Sequence, residues 1–227
     1  MARHPADEDR HEPGSGPWWS ECWGFELWDE HGLGAYSVLV LLPNQGRAWY
    51  WAAVVRPDHP LLSVVDQDQA LPVGTLRVRG GGLWADAQCE APFEQWTVLN
   101  ETYAVALDDP DDALGRALGE PAPVAFDWEW YASSPPADLA GRTVAGYAQA
   151  GQVLGEIELR DGRVPVDARS MRVHWWGDKE WFGTTWGSRV AGVRAPLLLR
   201  GPAGERTSVE RVLTTGGWHE WGHPAPS

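Results

Sequence analysis

Phe126-Asp127-Trp128-Glu129-Trp130-Tyr131 alternates without a break between large apolar rings and polar side chains. On an extended strand, Phe126, Trp128 and Trp130 take one face, and Asp127, Glu129 and Tyr131 the other. The same period of two recurs at intervals of about ten residues, in runs rich in β-branched and aromatic side chains. The runs are 18–27, 35–42, 47–55, 61–65, 75–79, 83–89, 95–107, 122–132, 143–149, 153–160, 166–176, 182–189, 196–200 and 208–214. Turn residues punctuate them at His31-Gly32, Asn44-Gln45-Gly46, Gly80-Gly81-Gly82, Asp161-Gly162 and Gly201-Pro202. Nearly every connection is short, which favours antiparallel neighbours over crossover units. Long helical periodicity is missing, and only 109–118 reads as a turn or two of helix.

The expectation is therefore an all-β, antiparallel meander in two packed halves, 17–118 and 119–227. The acidic link Asp108-Asp109-Pro110-Asp111-Asp112 and the stretch 119–123 mark the boundary. Closure of each half into a barrel would remove the unpaired edges that so many strands otherwise present. Residues 1–16 are charged and rich in His, Pro and Gly, with no apolar run, and read as a disordered acidic arm, not a secretory signal.

Composition narrows the function. The chain has sixteen Trp in 227 residues against four Phe and five Tyr, so the excess is specifically of indole. Indole offers a broad apolar face, one N–H donor and a π-cloud that attracts cations, properties suited to walling an apolar cavity or surrounding a carbocation. A net charge of −14 argues against nucleic acid or an anionic lipid surface as partner. No run approaches the ~18 apolar residues of a membrane-spanning helix, and mean hydropathy is −0.37. Cys22 and Cys89 are joined by no motif, and the expected home is the reducing cytoplasm. Metal-ligand spacing, a nucleophile elbow, a phosphate loop and a dinucleotide fingerprint are all absent from the sequence. The expected ligand is a hydrophobic small molecule bound without cofactor or metal.

The densest chemistry lies in Met171-Arg172-Val173-His174-Trp175-Trp176-Gly177-Asp178-Lys179-Glu180-Trp181. His174 and Trp176 share one strand face, Val173 and Trp175 the other, and Gly177 permits a turn that swings Asp178 back toward the strand end. Such a group at a barrel mouth makes an acid–base site with an aromatic wall; the plainer reading is a strand end with solvated charges. A second group is Leu83-Trp84-Ala85-Asp86-Ala87-Gln88-Cys89-Glu90, followed by Glu94 and Trp96. Burial beside rings would raise a carboxyl pKa there, whereas Glu90 and Glu94 on an edge strand would simply face water. In the third group, Glu129 points into a cavity if the face of Trp128 and Trp130 packs outward, and into solvent if that face packs inward. The residues leave both orientations open. Tyr147 and Gln149 form a polar pair on one face, able to bind a ligand or to cap a core.

Taken in order, these motifs resemble the lipocalin-like proteins related to carotenoid 1,2-hydratase and the AttH-type proteins. The resemblance runs through Trp49-Tyr50-Trp51, Gly82-Leu83-Trp84-Ala85-Asp86 with Cys89-Glu90 and Trp96, Asp127-Trp128-Glu129-Trp130, and Gly146-Tyr147-Ala148-Gln149. Its most specific part is His174-Trp175-Trp176-Gly177-Asp178-Lys179-Glu180-Trp181, which looks like the family's Arg-Asp-His-Ser-Trp-Gly-x-Arg-Asp-Trp signature. It covers most of residues 17–190. Val173 stands where the family has Asp, Trp175 where it has Ser, and Glu180 precedes Trp181, departures that point to a shifted reaction or substrate. The resemblance implies lipocalin-like barrels, an apolar pocket, and addition of water to, or ring closure of, a polyene without a cofactor.

The expected mechanism is protonation of an alkene in a Trp-lined cavity. Asp178 is the first choice of acid and Glu90 the second, with His174 orienting the acid or taking the proton back. Trp176, Trp130, Trp84, Trp96 and Trp51, with Tyr147, Gln149 and Glu129, would line the substrate site. A pericyclase that folds a polyene without proton transfer, and a carrier that binds an apolar ligand unchanged, are the alternatives.

Overall fold

The computed structural model describes residues 3–139 and 144–225; Thr143, the expected start of one strand, lies outside them. Sixteen strands follow in chain order among those residues: β1 (Trp19–Trp28), β2 (Gly34–Leu42), β3 (Arg47–Val55), β4 (Leu61–Ala70), β5 (Val78–Gly80), β6 (Leu83–Ala91), β7 (Gln95–Leu107), β8 (Glu120–Ala132), β9 (Ala137–Asp138), β10 (Ala145–Leu159), β11 (Gly162–Asp178), β12 (Trp186–Gly187), β13 (Val193–Arg194), β14 (Leu197–Arg200), β15 (Arg206–Thr214) and β16 (Gly217–Pro224). The fold is all-β and antiparallel, as the alternation predicts.

One sheet runs in the order β4-β3-β2-β1-β11-β10-β8-β7-β6-β5. The end of β7 then pairs back with β4, Leu61 opposite Leu107 and Ser63 opposite Val105. That pairing closes β1, β2, β3, β4, β7, β8, β10 and β11 into a lipocalin-like barrel, with the β5–β6 hairpin carried on the first part of β7. A second sheet, β12-β16-β15-β13 with β14 on β15, packs on the outside. Its Leu197, Leu199, Val209 and Leu213 cover Val38, Val40, Trp49 and Trp51 on the outer face of β2 and β3. Both faces of those strands are thereby buried.

Two expectations are corrected. The boundary at 118/119 falls between β7 and β8, which pair from Gln95 opposite Tyr131 to Ala106 opposite Glu120. The two sheets instead part after β11, which returns to pair with β1 along Trp19–Trp28 and completes the barrel. The acidic arm is also ordered. His4 caps a 3-10 turn at Pro5–Glu8, Glu8 is only 5% exposed, and Asn44 donates hydrogen bonds of 2.8 Å to the carbonyls of Gly14 and Gly16. Arg3, Glu8 and Arg10 find partners distant in the chain, Asp138, Arg172 and the Pro72 carbonyl, which local composition does not register.

The indoles also divide. Trp23, Trp96, Trp128 and Trp130 point into the barrel, while Trp28, Trp49, Trp51, Trp175 and Trp181 pack between the barrel and the second sheet. They do not converge on a single hollow. The space beside Trp23, Phe25 and Tyr50 inside the barrel is about 10 Å³, room for one water at most. Gly151 lets the Trp130 ring lie flat against β10, since a Cβ there would come within 2.4 Å of the indole. No helix among the described residues is long and apolar enough to cross a membrane.

Candidate functional site

At one end of the barrel, the period of two brings polar side chains into phase with the core. Glu21 precedes Trp23 and Phe25 on the inner face of β1, and Arg172 precedes His174 on β11. Tyr147 and Gln149 face them from β10, with Tyr147 opposite His174 and Gln149 opposite Arg172. All five are at most 1% exposed. Residues 3–11 lie across this mouth. Arg3 donates to the Gly146 carbonyl at 2.8 Å on one side, and Arg10 to the Pro72 carbonyl at 2.7 Å on the other.

Two linked groups result. In the first, Oε1 of Glu21 lies 2.9 Å from Nε2 of His174 and 2.7 Å from Nδ1 of His11. His174 stacks on Trp23 at 4.4 Å, and His11 on Trp176 at 3.5 Å between ring centroids. In the second, the Glu8 carboxylate accepts two hydrogen bonds from Arg172, one of them 2.9 Å long, one from Tyr147 at 2.6 Å, and one from the Phe93 backbone N–H at 2.8 Å. The Gln149 carbonyl accepts from Arg172 at 2.9 Å, and its amide donates to the carbonyls of Phe93 and Ser134.

The hydrogen bonds favour one arrangement of protons. With the Tyr147 proton on Glu8, Nδ1–H of His174 donates toward the Tyr147 oxygen at 3.3 Å and the Asp7 carbonyl. Nε2 of His174 then presents its lone pair to Glu21, which donates as a neutral acid. Electrostatics agree. Burial pushes the Glu21 carboxyl up to about 8, against smaller lowering effects from the His11 N–H and Arg10. Burial, then the nearby His11 and Arg172, hold His174 well below its ordinary value, and burial lowers His11. Near pH 7 the group therefore holds a protonated carboxyl between two uncharged rings.

His11, Glu21 and His174 are also donors of the type a divalent metal takes, within 4.8 Å of one another. Their arrangement is nevertheless that of a hydrogen-bonded relay. One Glu21 oxygen bridges both rings at hydrogen-bond distance.

The structure thus brings together His174, Trp176, Tyr147, Gln149, Trp96 and Trp130 of the expected residues. The last two rings face the Arg172 guanidinium at 5.4 and 4.9 Å. The others lie elsewhere. Asp178 is exposed on the rim against Gly16, because β11 runs straight to its end without swinging the side chain back. The Phe126, Trp128 and Trp130 face points inward, so Glu129 is on the outer wall, where Thr97 contacts both it and the exposed Glu90, at 3.1 and 3.0 Å. Trp84 lies on that outer wall too, in a groove with Tyr103 and Glu101. Trp51 is on the far side of β3, under the second sheet. Glu21 and Arg172 were missed although both alternate in phase with core residues; Glu8 and His11 carry no such signal.

A crystal structure from Nitrosomonas europaea, provisionally named AttH, resembles the chain with a TM-score of 0.50 at 13% identity, covering 99% of this chain and 69% of that one. At that identity the likeness speaks for the fold alone, and it agrees with the AttH-type side of the resemblance without singling out the carotenoid hydratases. No curated protein matches the sequence. A family model described as a domain of unknown function, DUF7064, matches residues 4–195, and the chain belongs to that family.

Proposed function

We propose that the protein is an acid–base enzyme that hydrates or cyclises an apolar polyene or terpenoid at the barrel mouth, with Glu21 as the acid. The observation that carries this reading is a carboxyl 1% exposed, pushed up to about 8, and hydrogen-bonded to a neutral His174 beside two indoles. A neutral acid in a dry aromatic setting is what alkene protonation needs. Room for a guest comes from displacing residues 5–11.

Glu21 would deliver its proton to the alkene, leaving a carbocation and a carboxylate. Trp23 and Trp176 would stabilise the cation through their π-faces, at about 2 kcal/mol each when dry. Attack by water, or by an internal alkene, closes the reaction, and the released proton returns through His174 to Glu21. The net change is addition of water or ring closure. Catalysis moves from Asp178 and Glu90, both exposed, to Glu21. Two unpaired cysteines suit a reducing, cytoplasmic setting.

The test is incubation of wild type and Glu21→Gln with linear polyenes and terpenoids in deuterated water. Deuterium in the wild-type product, and at least about a hundredfold less product from the variant, is the expected result. Rearranged product without label would favour a pericyclic route, and ligand recovered intact would favour a carrier; either outcome removes the acid–base reading.

A further inference from the structure

We infer that the Arg172 pocket is a carboxylate-binding site, that Glu8 occupies it in place of the ligand, and that the ligand is an apolar carboxylic acid. The inference rests on the barrel mouth being the ligand site, and not on protonation chemistry.

The pocket is complete around a planar anion. Both Glu8 oxygens receive two donors: Oε1 from Arg172 and the Phe93 N–H, Oε2 from Arg172 and the Tyr147 hydroxyl. Every donor belongs to the barrel wall or its β6–β7 turn, whereas the acceptor belongs to a segment outside the sheet. Phe93 holds its N–H there from a left-handed backbone with φ of 60°. Arg172 is only 1% exposed, its Nε and Nη2 rest on Gln149, and the rings of Trp96, Trp130 and Tyr147 surround it within 5.4 Å. A guanidinium buried so deeply requires an anion. Once residues 5–11 move aside, Arg172 loses Glu8, and an incoming carboxylate restores the bidentate pair. An alcohol or hydrocarbon of equal length cannot. The aromatic faces flanking the pocket suit an unsaturated or aliphatic tail. Glu8 therefore competes with the ligand, and apparent affinity falls by the fraction of molecules in which the segment is closed.

The test uses full-length protein, decanoate and decan-1-ol, read by tryptophan fluorescence and by trypsin cleavage after Arg10. Decanoate has no alkene, so the result is independent of whether any polyene turns over. Decanoate is expected to bind Glu8→Gln at least about tenfold more tightly than wild type, a difference of about 1.4 kcal/mol, while decan-1-ol is unchanged. In wild type, saturating decanoate is expected to speed cleavage after Arg10, and decan-1-ol to leave it unaltered. The charge-neutral double variant Glu8→Gln/Arg172→Gln should lose the preference for decanoate. Equal binding of the two ligands to Glu8→Gln, no binding of decanoate, or binding without faster cleavage would each overturn the inference.

Discussion

Two aromatic regions with buried charges lie on opposite sides of the wall formed by β1 and β11, and they differ in where each charge finds its partner. Outside the barrel, Lys179 stands over Trp181, Trp186 and Trp175 at 4.0, 4.1 and 4.9 Å and lies 3.9 Å from Glu220. Arg211, 3% exposed, pairs with Glu26 of β1 and with Glu220 of β16 at 3.3 Å. Those partners sit on strands locked into the two sheets. Inside, Arg172 is paired with a residue of the N-terminal segment, and Glu21 faces two uncharged rings. A charge among indoles is therefore no sign of a site by itself. Compensation within the framework gives a structural join; compensation by the N-terminal segment, beside a carboxyl pushed up to about 8, is what the proposed ligand site rests on.

The largest expected effect sets the two arginines' surroundings against each other. Arg211→Met strands Glu26 and Glu220 together and should cost about 3–5 kcal/mol in denaturant unfolding. Glu8→Gln should cost clearly less under the proposal that the segment lifts and admits water to Arg172 without opening the barrel; an equal loss would make the inner group structural as well. Trp181→Ala, which empties a fully buried position under the second sheet, should also cost about 3–5 kcal/mol. The half-buried Trp176→Ala should leave the unfolding midpoint nearly unchanged and lower product formation instead. Gly151→Ala, which presses on Trp130, should destabilise by about 1–3 kcal/mol.

The same comparison has a signature in pH dependence. Glu21 in the folded state keeps its proton up to about 8, above its unfolded value, so the folded state binds more protons over that window. Its contribution to stability is complete below the ordinary glutamate pKa and is lost as pH rises through about 8, by at most about 1.4 kcal/mol per unit. His174, lowered by burial, has the opposite sign: its contribution is lost as pH falls below its ordinary value. Unfolding of Glu21→Gln across pH 5–9 should show a flatter alkaline limb with the acid limb retained.

Much of this was legible in the alternation of residues. Strands β1 to β8 follow it closely, and the period alone pairs His174 with Trp176 and Tyr147 with Gln149 on shared faces. Barrel closure was not legible, because it depends on pairing a few residues, Leu61–Ser63 with Val105–Leu107, far apart in the chain. Gly151 reads as a break between two strands, yet β10 runs unbroken through it, the glycine serving the Trp130 ring. Strand β16 was missed because Gly217, Gly222 and Pro224 dilute its pattern. Residues 1–16 read as a disordered arm because Glu8, His11, Gly14 and Gly16 find their partners in Arg172, Glu21 and Asn44, which the arm's own composition does not show. Asp178 reads as the acid because it follows His174 closely in the sequence, whereas Glu21 reaches that ring across the β1–β11 pairing.

The most direct measurement is a carboxyl-carbon NMR titration of Glu21 in the full-length protein, assigned with Glu21→Gln. A midpoint of about 8 is predicted. A midpoint near the ordinary glutamate value of about 4.3 would mean an ionised, solvated carboxylate, and would contradict a neutral acid at the barrel mouth.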